Sequence, residues 1–442
     1  MKMHPPLVSA LRQELYDWHL WTGRAVVLAF AAVAGLTVVA FTWMTEHALA
    51  LFFTLEKHYW WSPLFWTPAS TAAIVWITRR YVPGAAGSGI PQVMAALTPE
   101  VPSAASGLYV SVKLTLTKMV LTAWGLLAGL SLGREGPSVQ IAAGVMPHAR
   151  RWLPARSQVS AHGLLVAGGA AGIAAAFNTP LGGVMFAIEE LSRKPEQRSN
   201  GLILAAIVLA GLMAVSVYGN ATYFGVIRIE NLSMALLLPG LLVAIFSGAA
   251  GGVFARLLVL SLAGQSGDWF SRQRLKAPVR FAAACGLSVA VLGMLSHGDT
   301  YGSGYSHTRD MLEGQGESSG LYVLLKFIAT WITAWAGVPG GLFAPSLAIG
   351  AALGNDIAQL TAYANAPTLI ALGMAGFLAA VTQAPLTSFI IVMEMVDGHA
   401  LVLSLMTSAM LASGISRLIS APLYSTLAEL QLLRLPIQLA TK

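Results

Sequence analysis

The stretch LSLGREGPSVQIAAG, residues 130–144, sets an arginine, a glutamate and a Gly-Pro pair inside an apolar run. Charge at membrane depth is costly and is kept there for a task. Two further stretches share this form, GSGIP at 87–91 and GGLFAP at 340–345. Each joins glycines, which permit a sharp turn, to a proline suited to the first helical turn. A helix starting there leaves several N–H groups without partners and carries about half a positive charge. Water does not reach these donors at the bilayer centre, and an anion fits them. Ser88 adds a hydroxyl donor beside the first start, and the amides of Leu342 and Phe343 can point at the ion from the third. The Phe343 ring would shape the path. Any one of these motifs also suits close helix packing or a kink.

The elements that must position these residues are transmembrane helices. Of the 442 residues 56% are hydrophobic and 10% charged, against about a quarter charged in a soluble domain. Residues 25–45, 199–227, 231–255, 281–298, 327–355, 357–393 and 398–416 contain no Asp, Glu, Lys or Arg. A spanning helix needs about 20 mostly apolar residues, so most runs cross once, and 357–393 must hold more than one segment. The chain reads as an all-α polytopic membrane protein. A large soluble α-protein would need far more charge on its surface.

Nothing at the N-terminus has the form of a cleaved signal. Arg12, Glu14, Asp17 and several aromatics suggest an amphipathic helix at the interface before the first span. A single cysteine, Cys285, excludes an internal disulfide and any Cys-based metal site. No metal and no cofactor are expected. The net charge of +7 does not point to nucleic acid, because the basic residues cluster in short loops. These are Arg79–Arg80, then Arg150, Arg151 and Arg156, then Arg193, Lys194 and Arg198, then Arg272, Arg274, Lys276 and Arg280. Loops 219–233 and 297–320 instead hold Arg228 and Arg309 against Glu230, Asp299, Asp310, Glu313 and Glu317. That positive-inside pattern makes the basic loops and both termini cytosolic.

An internal repeat organises the chain. AGSGIPQVMAAL (86–97) resembles YGSGYSHTRDML (301–312), and GLYVSVKLTLTK (107–118) resembles GLYVLLKFIATW (320–331). TAWG at 122 matches TAWA at 333, EGPSVQIAAG at 135 matches FAPSLAIGAA at 343, and 171–190 resembles 375–395. The five pairs are collinear, with an offset that drifts from 215 to 204. Repeats with Gly/Pro-interrupted segments at matching positions point to a transporter whose site lies where the interrupted helices meet. The expected division is an interfacial helix at 1–24, repeats at 25–220 and 221–421, and a cytosolic helix and tail at 422–442. Hydropathy leaves parallel and inverted repeats both open. Segments 163–177, 181–191 and 368–381 are short enough to be half-helices, which are tolerated only inside protein or beside a cavity.

GSGIP, GREGP and GGLFAP together resemble the three signature loops of the ClC family of chloride channels and proton-coupled chloride antiporters. Tyr424, in APLYSTL, resembles the family's fourth element. The similarity runs from about residue 24 to 430. It implies two inverted repeats of tilted, partly non-spanning helices and a homodimer with one anion pathway per subunit. It also implies that Ser88 and Tyr424 donate hydroxyls to a central chloride, with the amides of Leu342 and Phe343 completing the shell. Ser88 favours chloride over the nitrate-preferring branch, which tends to carry Pro there. Gln92 departs from the Glu found in several members and leaves the site intact.

In this resemblance Glu135 is the external gate. A carboxylate at a helix start is itself an anion competing for the anion's seat: ionised it blocks, protonated it swings away. The helix start favours its charged form, while desolvation and a neighbouring anion favour the neutral one. Arg134 either adds to the local field or orients the loop. Glu190, in FAIEELSRK, falls where proton-coupled members carry an internal proton-transfer glutamate. Taken alone, Glu189 and Glu190 suit a membrane boundary, solvated or paired with Arg193 or Lys194. Glu394 is the repeat-related acid, with a structural role.

The reading is therefore an exchanger of chloride for protons; its alternative is a passive, voltage- or pH-gated chloride channel on the same fold. An enzyme is not expected, since a serine hydrolase using a GSG serine with His162 or His307 needs base and nucleophile in hydrogen-bond reach. A cation-coupled transporter is disfavoured, since intramembrane carboxylates to bind a cation are scarce. The chain ends at Lys442, leaving no room for the family's cytosolic regulatory domains, and a bacterial inner membrane is the expected home.

Overall fold

The computed structural model describes residues 17–98, 107–155, 157, 159–192, 200–219, 222–225, 234–264, 267–314 and 320–433. Arg12, Glu14, Arg156, Arg193, Lys194, Arg198, Arg228, Glu230 and Glu317 lie outside them. Among the described residues the chain forms 18 α-helices and no strand. The first half runs α1 (Trp18–His58), α2 (Pro63–Tyr81), α3 (Ile90–Ala96), α4 (Val112–Leu127), α5 (Glu135–Val145), α6 (Ala161–Phe177), α7 (Pro180–Phe186) and α8 (Asn200–Tyr218). The second runs α9 (Leu237–Ala263), α10 (Trp269–Lys276), α11 (Pro278–Leu295), α12 (Tyr305–Leu312), α13 (Gly320–Ala336), α14 (Phe343–Leu360), α15 (Ala366–Thr382), α16 (Pro385–Met395) and α17 (Val402–Ile419). A last helix, α18 (Leu423–Leu433), follows.

Among the described residues, five helices are long and apolar enough to cross a membrane, and several shorter apolar helices accompany them. α1 begins where Asp17 accepts from the amides of His19 and Leu20. It runs unbroken through 41 residues, about 60 Å at the helical rise, so it must cross a bilayer at a tilt. The turns from Trp18 to Arg24 thus belong to this helix and form no separate element. The charge-free run 357–393 divides among the end of α14, all of α15 and most of α16. Large apolar side chains such as Trp76, Leu116, Val120 and Leu403 stand exposed around the outside, as lipid contact requires.

Inside, small residues let helices touch backbone to backbone. A side chain on Gly350 of α14 would strike the Gly373 carbonyl of α15, and one on Gly373 would strike that of Gly350. Such crossings supply close packing where lipid offers no hydrophobic contrast.

The repeat appears in detail. α6 ends at Asn178 in the left-handed region (φ 57°), with Pro180 opening α7; α15 ends at Gln383 (φ 58°), with Pro385 opening α16. Glu189, just past α7, accepts from the amides of Leu386 (3.1 Å) and Thr387 (2.7 Å) at the start of α16. Glu394, at the end of α16, accepts from Leu181 (3.1 Å) and Gly182 (2.7 Å) at the start of α7. Each helix ends where the other begins, so the two are antiparallel and the repeats are inverted. Glu394 is therefore a cap, and its partner by symmetry is Glu189.

The lysines correct one sequence pairing. The alignment above sets Lys113 against Lys326. In the structure Lys326 Nζ donates to the carbonyls of Thr300 (2.9 Å) and Gly302 (2.8 Å), and Lys118 Nζ donates to those of Ala85 (2.8 Å) and Gly87 (2.6 Å). Lys113 is exposed. The equivalent of Lys326 is Lys118; the shared GLYV string set the wrong register.

Candidate functional site

The three glycine-rich segments meet at one place. Gly133 and Gly341 exchange both backbone hydrogen bonds, at 2.8 and 2.7 Å. The Gly87 amide donates to Val338 (3.2 Å), and the Gly340 amide donates to Gly87 (3.1 Å). The starts of α3, α5 and α14 are thereby pinned together. Only glycine serves at two of these positions. Gly89 has φ +106°, and a side chain there would also press on the Gly136 carbonyl. A side chain on Gly136 would overlap the Ser88 hydroxyl, so Ser88 rests directly against the first turn of α5.

Around this junction lie buried groups with unmet hydrogen-bonding capacity. Ser88 Oγ and Tyr424 Oη are both buried and, among the described residues, have no hydrogen-bond partner. The two hydroxyls neighbour one another, and the Tyr424 oxygen lies within the electrostatic reach of both Glu135 and Glu190. Buried polar atoms in this state are costly, at about 1–3 kcal/mol each, and such exceptions call for a ligand or a role. Leu342 and Phe343 open α14, where the first amides have no intrahelical acceptor. The Phe343 ring stacks nearly parallel to Tyr424 (6.0 Å, 22°) and edge-on to Phe186 (6.3 Å). Phe343, next to Leu342 at the start of α14, thus touches Tyr424, whose hydroxyl neighbours Ser88.

Glu135, the first residue of α5, is fully buried. Its Oε2 accepts from the Ala344 amide at 3.3 Å, while Oε1 has no partner. This carboxylate occupies the place an anion would take at the start of α14.

Arg134 does not pair with its neighbour. Its guanidinium donates to Glu46 on α1 (2.7 Å) and to the Tyr223 hydroxyl (3.1 Å) and lies over the Tyr223 ring. Neither Glu46 nor Tyr223 was singled out by the sequence. The available signal was Glu46 itself, the one Asp, Glu, Lys or Arg between positions 25 and 55. Beyond Glu135 these residues wall a small chamber of about 70 Å³, with Ser303 and Tyr305 on its other side.

Glu190 lies apart from this junction. The segment Ala187–Leu191 winds as a π-helix, whose extra residue per turn is a common feature of functional sites. Glu189 caps α16, and both glutamates border a cavity of about 670 Å³ with Gln383, Arg417, Ser420 and Ser425. No Ser–His pair forms among the described residues. The His307 ring stacks on Tyr322 (4.1 Å) and its Nδ1 faces Asp299 (3.9 Å), while Ser303 accepts from the Tyr305 amide.

Residues 69–417 match a family model described as voltage gated chloride channel. The chain belongs to that family, the ClC family. Among its relatives, the H(+)/Cl(-) exchange transporter ClcA of Citrobacter koseri is 31% identical, aligned over 95% of this chain and 92% of its own. The protein of that name from Salmonella arizonae is 30% identical over the same shares. Two solved ClC-type structures share the fold. A slow cyanobacterial Cl-/H+ antiporter superposes with a TM-score of 0.80 at 22% identity, covering 98% of this chain and all of its own. A CLC-type fluoride/proton antiporter gives 0.77 at 22% identity, covering 93% and 98%. The relatives are transporters, so the chain is grouped with non-enzymes.

Proposed function

We propose that this ClC-family protein is a secondary transporter that exchanges chloride for protons. One observation carries the reading: the buried Glu135 carboxylate accepts from the Ala344 amide at the start of α14, near the buried hydroxyls of Ser88 and Tyr424, for which the described residues supply no hydrogen-bond partner. A single titratable group and the transported anion then compete for adjacent seats. Chloride occupies the inner seat, held by the two hydroxyls and the amides of Leu342 and Phe343. Ionised Glu135 fills the outer seat and bars the way out. A proton arriving from the Glu190 cavity, past Tyr424, neutralises the carboxylate. The neutral carboxyl loses its attraction for the helix start and leaves the seat, and chloride advances as the proton departs on the other side.

The functional unit in this reading is a homodimer in a bacterial inner membrane, with cytosolic termini, repeats at 25–220 and 221–421, and no cofactor. The positive loops and the kinship to ClcA exchangers support it. The deciding experiment uses the full chain in liposomes. An imposed chloride gradient should drive protons uphill, and an imposed proton gradient should drive chloride. Chloride flux that moves no protons would leave a passive channel.

A further inference from the structure

The outer chamber carries a charge arrangement that the exchange reading does not use. Arg134 is nearly buried, with 11% of its side chain exposed, whereas Glu46 is half exposed at 51%. An exposed ion pair is worth little in stability, but this one joins a buried cation at the anion's exit to an acid on a different helix. Its guanidinium is further fixed by the Tyr223 hydroxyl, and the Tyr223 carbonyl in turn accepts from the Tyr305 hydroxyl at 2.8 Å. Arg134 is therefore held by Tyr223 as well as by Glu46. Arg134 Nε remains buried without a partner.

The charge count in the chamber follows. With Glu135 ionised, Arg134 and Glu46 cancel and the carboxylate leaves the chamber negative. When Glu135 takes a proton, the chamber becomes neutral. Without Glu46, the same protonation would leave a bare guanidinium beside the departing chloride, in a space of about 70 Å³ where attraction is poorly screened.

We propose that Glu46 is a positioning residue for the external step: it neutralises and orients Arg134, so that chloride passing Glu135 is released to the outside instead of being retained in the chamber. The inference rests on the exchange reading for the role of Glu135, yet its test reads chloride alone and does not require proton coupling.

The test measures chloride flux in liposomes with chloride varied separately on the external and the cytosolic side. Glu46→Gln should lower the external KM for chloride about five- to tenfold and slow maximal turnover, with the cytosolic KM unchanged. Glu46→Asp should restore the wild-type external KM, and adding Arg134→Gln to Glu46→Gln should bring it back toward wild type. An unchanged external KM in Glu46→Gln overturns the proposal, as does an equal shift on both sides or a loss of thermal stability without a KM change. If wild-type protein moved chloride without protons, the exchange reading would fail while the external KM comparison would still decide this one.

Discussion

The two repeats share a scaffold and differ at the residues around the junction of their broken helices. Glu135 and Phe343 open equivalent helices on either side of the Gly133–Gly341 junction. One sends a carboxylate onto its counterpart's amides; the other lays a ring on Tyr424. Ser88 and Ser303 likewise sit in equivalent GSG turns. Ser88 Oγ has no partner and lies against α5, whereas Ser303 Oγ accepts from the Tyr305 amide and borders the outer chamber. The lysines behind these turns, Lys118 and Lys326, make matching bonds. The symmetric parts build the meeting point, and the asymmetric parts give it a direction, with a titratable group on one side and an apolar ring on the other.

That contrast can be broken at its strongest point first. Glu135→Gln should reduce proton flux about 100-fold or more, the scale on which a positioned proton carrier acts, and leave chloride flux insensitive to pH; coupled, pH-dependent exchange in this variant would remove the gate. A smaller effect is expected one cavity away. Glu190→Gln should cut proton flux about tenfold while chloride still passes, and unchanged coupling would make Glu190 a boundary acid only.

The lysine pair sharpens the comparison. Lys118→Met and Lys326→Met each strip two buried carbonyls of their donor, at a cost of about 1–3 kcal/mol visible in thermal unfolding. Only Lys118→Met should also weaken chloride binding in calorimetry, because its carbonyls belong to the turn that carries Ser88. Equal effects on binding would mean the asymmetry lies elsewhere. The smallest difference separates the serines: Ser88→Ala should weaken chloride binding by about 0.5–1.5 kcal/mol, and Ser303→Ala should leave it unaltered at the central site.

Much of this was legible in the sequence, because a broken helix start is written in local residues. GSGIP, GREGP and GGLFAP each carry their own turn chemistry, and the collinear matches displayed the repeat. What stayed hidden depends on contacts between distant helices. The Arg134–Glu46 bond joins residues 88 apart, and the capping of α7 and α16 joins residues about 200 apart. Glu189 and Glu190 read as one acidic pair until the structure shows Glu189 capping α16. Lys118 was missed because the GLYV strings match better in letters than in space.

The paired amide bonds between Gly133 and Gly341 have a mechanical consequence. They seam the halves together beside the proposed anion seats. Swinging one half rigidly against the other would tear that seam on every cycle, in a medium with no water to mend it. The economical moving part is a single side chain turning within a frame that stays shut.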